Sequence, residues 1–334
     1  MKNSVAQYLT ALLLSVCVLC NLSCQKENLK KSLFSGERAF EEVQQIVAYS
    51  PRDAGTAGGH KAAAHIASRL EMLGLSVKMD HFTDTTPEGL KDMINVLGFL
   101  PGSSDTWIIL GSHFDTMPGI DHFQGANDSG SSTGVLIELA RILRDQELHH
   151  GLIFAFFDGE EGIANYIPGD GLHGSRHLAN QLKDEGELDH YHAMILLDMI
   201  GDKNLTFTVP ANSDPMLLKL LIAAAERLNI RNKIQLHLHT TIIDDHVPFL
   251  DIGIPAIDLI DFNFGSQEYA NDYWHTKEDS MDKISPESLK ISGEIVLEML
   301  HDLGLFVKIQ LQQNVESSFL TNGACNSRSI HLYR

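Results

Sequence analysis

The chain predicts an α/β fold: a three-layer, open, mixed but mostly parallel sheet with helices on both faces. Three observations carry this. Strand-like and helix-like segments alternate along most of the length. Several strands, such as 152–157 and 193–197, are continuous apolar runs, as strands buried on both faces require. Polar residues gather just where those apolar runs end, the edge at which open α/β sheets bind ligands. With 334 residues, 43% of them apolar, the chain can build one large core.

In order, residues 35–49 read as a helix with Phe40, Val43 and Ile46 on one face. Residues 51–59 read as a loop, and 62–73 as a second amphipathic helix stopped by Gly74. Residues 75–82 alternate as a strand. Strands follow at 93–100 and 107–111, joined by a hairpin-like turn at Pro101-Gly102-Ser103-Ser104. Residues 133–144 read as a helix, 152–157 as a buried strand, 175–182 as a helix and 193–197 as a buried strand. A helix at 215–228, strands at 234–239 and 255–260, and a long closing helix at 286–305 complete the domain. His237 and His239 share one strand face, which we assign to solvent. With no repeat and no internal linker of consequence, residues 35–308 form a single catalytic domain, and 309–334 lack a sustained period and read as a poorly ordered tail.

The N-terminus stands apart. Lys2 precedes an apolar segment over 9–22, short for a membrane span and right for a signal peptide. Asn21-Leu22-Ser23-Cys24 followed by polar Gln25-Lys26-Glu27-Asn28 resembles a bacterial lipoprotein cleavage site. This gives a signal peptide over 1–23, a polar linker over 24–34 and an exported protein, periplasmic or on the cell surface, anchored by lipid at Cys24; ordinary secretion is the alternative. Cys17 and Cys20 leave with the signal, so Cys24 and Cys325 alone cannot form a disulfide framework. The formal net charge of −19 comes with no basic patch and excludes a nucleic-acid partner. The membrane is reached only through the lipid.

The chemistry centres on Asp158-Gly159-Glu160-Glu161, directly after the buried strand 152–157. Adjacent carboxylates at a strand end repel, and burial disfavours their ionisation. A metal cation relieves both, leaving one carboxylate to ligate and the other to carry protons. Around them stand His113-Phe114-Asp115 at the end of one strand and Asp128 in the Gly-rich Gly125-Ala126-Asn127-Asp128-Ser129-Gly130. Asp198 ends a fully apolar strand, and His275 sits in Tyr273-Trp274-His275-Thr276. Singly, Asp128 reads as a helix cap and His275 as a loop histidine. The order His, Asp, Glu-Glu, Asp, His in these contexts is specific.

These motifs resemble the zinc-dependent exopeptidase family that includes secreted aminopeptidases and glutaminyl-peptide cyclotransferases. The resemblance runs from about residue 40 to 306. It rests on Pro51-Arg52 with Gly55-Thr56, Gly111-Ser112-His113-Phe114-Asp115-Thr116, Asp158-Gly159-Glu160-Glu161 and Leu196-Leu197-Asp198-Met199-Ile200-Gly201. Three features point to the cyclotransferase branch. Residues 162–173 are inserted before Gly174-Ser175, with Tyr166 where animal enzymes carry Trp. Asp244-Asp245-His246-Val247-Pro248 resembles the cyclase Asp-Asp-His-x-Pro motif, and Trp274-His275-Thr276 resembles the cyclase Trp-His-Thr. Ile243, where the animal enzymes commonly carry Gln, and the longer run 263–272 depart from the pattern.

For a cyclotransferase, the resemblance implies one zinc on Asp128, Glu161 and His275. Glu160 is then the proton carrier, Asp198 and Asp244 its orienting partners, Trp274 and Tyr166 the walls of a small pocket, and His246 its support. The substrates are peptide or protein N-termini, Gln preferred. For an aminopeptidase, it implies two zinc ions, the second on His113, Asp128 and Asp198, with Glu160 activating water. A non-enzymatic binding lipoprotein is the least favoured reading, because no ligand is missing.

Overall fold

A computed structural model describes residues 34–164 and 169–307. The expected signal peptide, Cys24, the tail beyond 308 and Tyr166 lie outside the described residues. Among those described, no helix is long and apolar enough to cross a membrane.

Helix α1, Gly36–Val47, starts where the Ser35 hydroxyl accepts the Arg38 N–H, and it buries Ala39, Val43 and Ile46. Helix α2, Ala57–Met72, starts five residues ahead of the expected 62. Thr56 caps it, and Gly58 and Gly59 form its first turn instead of a loop. A side chain at Gly58 would strike the Pro51 carbonyl oxygen at 1.9 Å, so these glycines serve close approach rather than a turn.

Strands β1, Ser76–Thr86, and β2, Gly89–Leu100, form a hairpin longer than expected, because its outer half is polar and carries no apolar signal. The chain continues through β3, Trp107–His113, α3, Ser132–Leu143, β4, Gly151–Phe157, and α4, His173–Glu185. Then follow β5, Tyr191–Asp198, β6, Phe207–Pro210, α5, Pro215–Arg227, β7, Ile234–His237, α6, Val247–Asp251, β8, Ala256–Ile260, and α7, Pro286–Asp302.

The main sheet has the order β1-β2-β4-β3-β5-β8. Strands β1, β2 and β4 pair antiparallel, while β4, β3, β5 and β8 run parallel. This corrects the hairpin at 101–104. β2 and β3 are not neighbours, since β4 lies between them, and Ser103 and Ser104 instead donate to the Leu148 and His149 carbonyls leading into β4. Strands β6 and β7 make a separate two-stranded parallel sheet. β6 has only four residues and ends in Pro, and α6 has five, too few to show a period. β7 ends at His237, and a turn from Thr240 to His237 takes His239 off the strand.

Each parallel strand is buried on both faces, and its residues alternate between two cores. Ile108, Leu110, Leu152, Phe154, Phe156, Ile195 and Leu197 pack under α1, α2, α3, α5 and α7. Ile109, Ile153, Phe157, Met194, Leu196 and Ala256 pack under α4 and α6. That is the expected three-layer arrangement. The carboxyl ends of β3, β4, β5 and β8 therefore open on one edge, where His113, Asp158 to Glu161 and Asp198 emerge together.

Candidate metal centre and acid-base cluster

Glu160 and Glu161 leave β4 through Gly159, whose φ of 73° is a backbone state that L side chains rarely adopt. The turned segment then hangs on Asp115, whose Oδ1 accepts the Glu160 N–H at 3.1 Å and whose Oδ2 accepts the Glu161 N–H at 3.2 Å. Leu172 and His173 donate to the Glu160 and Gly159 carbonyls, closing the inserted loop back onto the strand end. The base of that loop is held by Asp170, which accepts the Ile163 and Ala164 N–H groups at 2.8 and 2.9 Å.

Asp128 sits in a buried π-helical turn, Ala126–Ser131, with extended backbone angles at its centre. Its Oδ2 faces His275 Nε2 at 3.4 Å, and Glu161 Oε2 lies 3.2 Å from the same nitrogen. Its Oδ1 faces His113 Nε2 at 3.1 Å, and Asp198 Oδ1 lies 3.3 Å from that nitrogen. The structure thus brings together both ligand sets read from the sequence, with Asp128 common to the two. Ligands at about 2.0–2.1 Å around a tetrahedral zinc stand about 3.3 Å apart. In both sets the distances from the histidine nitrogen to its two carboxylates match that spacing, and both offer the mixed oxygen and nitrogen donors that zinc takes.

Electrostatics show the same demand for a cation. Burial would push the His275 imidazole down, but hydrogen bonds to Asp128 and Glu161 outweigh it and hold the ring up at about 10. Burial is likewise overcome at His113, which Asp115, Asp128 and Asp198 hold well above the usual imidazole range. Burial and the Asp128 charge push Glu161 up to about 7. Burial pushes Glu160 well above the carboxyl range against the pull of His113, with Glu161, Asp245 and Asp115 adding to the rise. Asp198 is raised by burial, although His113 draws it back.

A third group lies behind Glu160. Asp244, His246 and Asp258 bring ligand atoms within 4.8 Å of one another. Burial pushes Asp244 well up, as do the nearby Asp258, Asp198 and Glu160. Asp258, fully buried in β8, is raised by burial and by Asp198. Both carboxyls are thus shifted toward their protonated forms. Burial alone pushes His246 down to about 4, and its Nε2 meets the Asn212 amide at 2.9 Å, so it is a neutral, fully buried support.

Trp274 stacks on the His275 ring, with centroids 4.0 Å apart, and meets Phe262 edge-on. It belongs to a small apolar cluster with Met199, Ile260 and Phe264, which places an aromatic wall against a candidate ligand.

Several contributors were given no role from the sequence. Asp258 interrupts an apolar strand, a signal that could have flagged it. Asp245, named with Asp244 in the motif, is fully buried and raised by burial to about 7. Asp279 hides in the charged run Lys277-Glu278-Asp279, yet its carboxylate accepts the Asn127 N–H at 2.7 Å and the Asp128 N–H at 3.0 Å.

Comparison with known proteins shows the family and the fold. A family model described as Peptidase family M28 matches residues 95–300. A Bos taurus glutaminyl-peptide cyclotransferase is 30% identical over 288 residues, 74% of this chain and 78% of that protein. The crystal structure of an Acidobacteriales bacterium glutaminyl cyclase superposes with a TM-score of 0.76 at 37% identity, covering 82% of this chain and 96% of that one. A Zn-dependent exopeptidase from Parabacteroides distasonis superposes at 0.70 with 28% identity, over 80% and 98% of the two chains.

Proposed function

The chain belongs to peptidase family M28, in its glutaminyl-peptide cyclotransferase branch, and from that premise we propose that it closes N-terminal glutamine to pyroglutamate at one zinc held by Asp128, Glu161 and His275. When bound, the metal acts as a Lewis acid on the γ-carboxamide carbonyl. The substrate α-amine nitrogen bonds to the carbonyl carbon of the side-chain carboxamide, the C–N bond of that carboxamide breaks, and ammonia leaves. Glu160 takes the proton from the amine and returns it to the departing nitrogen. Its raised pKa suits a group that must hold a proton between the two steps. Asp198 and Asp244 orient Glu160 and the amine. Trp274 is one wall of a small pocket, Tyr166 is assigned to it by the resemblance alone, and His246 supports it. Because ring closure is intramolecular, alignment supplies much of the rate.

One observation carries this reading over hydrolysis: Asp244 is a buried carboxyl raised by burial and by the charges of Asp258, Asp198 and Glu160. That makes Asp198 part of a proton network rather than solely a ligand for a second metal. The test is incubation with a Gln-initiated peptide and, separately, an aminoacyl chromogenic amide. Ammonia release with an uncut peptide one ammonia lighter is expected. Free amino acids from varied N-termini, with two zinc ions per chain, would overturn it.

Residues 35–308 form the catalytic domain in this reading. The N-terminal segment supports export with lipid at Cys24. Cys24→Ser should leave the membrane fraction; wild-type levels there would contradict the anchor.

A further inference from the structure

We propose that Asp279 is the positioning residue that joins two metal ligands, Asp128 and His275, into one rigid unit. The inference rests on the zinc reading above. The Asp279 carboxylate is fully buried. Its Oδ1 accepts the Asn127 N–H at 2.7 Å and its Oδ2 the N–H of Asp128 itself at 3.0 Å. These N–H groups open the Ala126–Ser131 turn, where a helical segment leaves its first donors without internal partners. Buried and unpaired, each would cost about 1–3 kcal/mol. One carboxylate satisfies both and brackets the ligand's peptide from either side.

At its other end, Asp279 belongs to the turn that presents His275. The Asp279 N–H donates to the Thr276 carbonyl at 3.0 Å. The Thr276 hydroxyl accepts the Glu278 N–H at 3.2 Å and donates to the Tyr273 carbonyl at 2.8 Å. His275, at φ 53°, sits at the bend, where its ring turns back toward Asp128. Two ligands far apart in sequence thus share one hydrogen-bonded frame.

Arg52 completes the clamp from the opposite side. Fully buried, it donates to the Gln124 and Gly125 carbonyls, both at 2.7 Å, where the Asp128 turn begins. Arg52 holds the carbonyls of this segment and Asp279 its N–H groups. A separate attachment ties the turn to the end of β5: the Gly201 N–H donates to Asn127 Oδ1 at 2.7 Å, and the Ile200 N–H to the Ser131 hydroxyl at 3.1 Å. Loss of Asp279 therefore leaves the Asp128 turn docked on the sheet but uncoupled from His275. The deficit falls on the distance between ligands more than on the fold.

The test compares wild type, Asp279→Asn and Thr276→Val as full chains. Zinc affinity is measured by competition with a chromophoric chelator, and melting temperature with and without zinc. Asp279→Asn turns one acceptor into a donor facing an N–H. Zinc affinity should fall about 10- to 100-fold, the usual cost of losing a partner that orients a ligand. The zinc-dependent rise in melting temperature should shrink with it. Thr276→Val, at a half-buried position, breaks the turn without touching Asp128 and should weaken zinc in the same direction by less. A structural residue alone would lower the metal-free melting temperature and leave zinc affinity intact, and that result in either folded variant overturns the proposal. Wild-type protein that takes up no zinc overturns the zinc reading and this inference together.

Discussion

The Asp115 carboxylate accepts the Glu160 backbone N–H at 3.1 Å, so a residue at the end of β3 fixes the proton carrier at the end of β4. Its second oxygen takes the Glu161 N–H at 3.2 Å, and His113 Nδ1 lies 3.4 Å away. Two adjacent, mutually repelling glutamates are thus held by a third carboxylate that binds their backbone rather than their side chains.

Asp115→Ala removes both acceptors and leaves two buried N–H groups unpaired. The Gly159 turn should relax and shift Glu160 by a fraction of an ångström to an ångström. A displacement of that size lowers kcat about 10²-fold. Steady-state kinetics at saturating zinc checks it, with circular dichroism confirming the fold. A kcat within twofold of wild type would show that Asp115 does not position the base.

Glu160→Gln and Glu161→Gln should separate the roles of the pair. Glu160→Gln should lower kcat about 10²- to 10⁴-fold, the range for loss of general acid-base catalysis, and retain zinc. Glu161→Gln should lose zinc first. Metal content by mass spectrometry, read beside kcat, decides between them. Equal zinc loss in both variants would make Glu160 a ligand.

Chelation should abolish activity, and zinc should restore it. At pH 7 metal-free His275, held up at about 10, keeps its proton, and Glu161 at about 7 keeps part of one. Both must be lost for metal to bind, so zinc uptake should release between one and two protons and weaken on acidification. Calorimetry in buffers of differing ionisation enthalpy counts them. A second zinc would also have to deprotonate His113, itself held well above the usual imidazole range, and would raise the count by one.

The layers of the fold were legible in the sequence because they follow from local pattern, whereas the two ligand sets came from the resemblance to the zinc-dependent exopeptidases. Apolar runs at 152–157 and 193–197 can only be buried strands, and residues that follow such strands must meet at one sheet edge. What stayed hidden depends on contacts between segments. Nothing local says that β4 inserts between β2 and β3, so Pro101-Gly102-Ser103-Ser104 looked like a hairpin. Asp279 went unassigned because its partners, the Asn127 and Asp128 N–H groups, are backbone and leave no trace in residue type. Asp258 was readable in principle, as a charge inside the apolar Ala256–Ile260, but its meaning needed Asp244 from another element.

The protonation states also predict how the metal-free protein responds to pH. Burial raises Asp279 to about 8, with the Asp128 charge adding to it, and raises Asp245 and Asp261 to about 7. Glu161 and His275 are raised too, to about 7 and about 10. A group whose folded pKa lies above its unfolded value contributes stability below the unfolded value and loses it as pH rises through the folded one. These five groups therefore make stability decline from about pH 5 through pH 8 and beyond, with His275 acting latest. His246 works in the opposite sense: burial lowers it to about 4, so its contribution is present above about 6.5 and is lost as pH falls. One histidine offsets only one of the four raised carboxyls, so the metal-free melting temperature should fall as pH rises from about 5 to about 8. Zinc favours the deprotonated forms of Glu161 and His275, so it should flatten the alkaline limb, and the stabilisation it brings should grow from pH 6 to pH 8. Melting curves across this range with and without zinc test both statements. A zinc increment that shrinks as pH rises would mean that the groups titrating here are not the ligands.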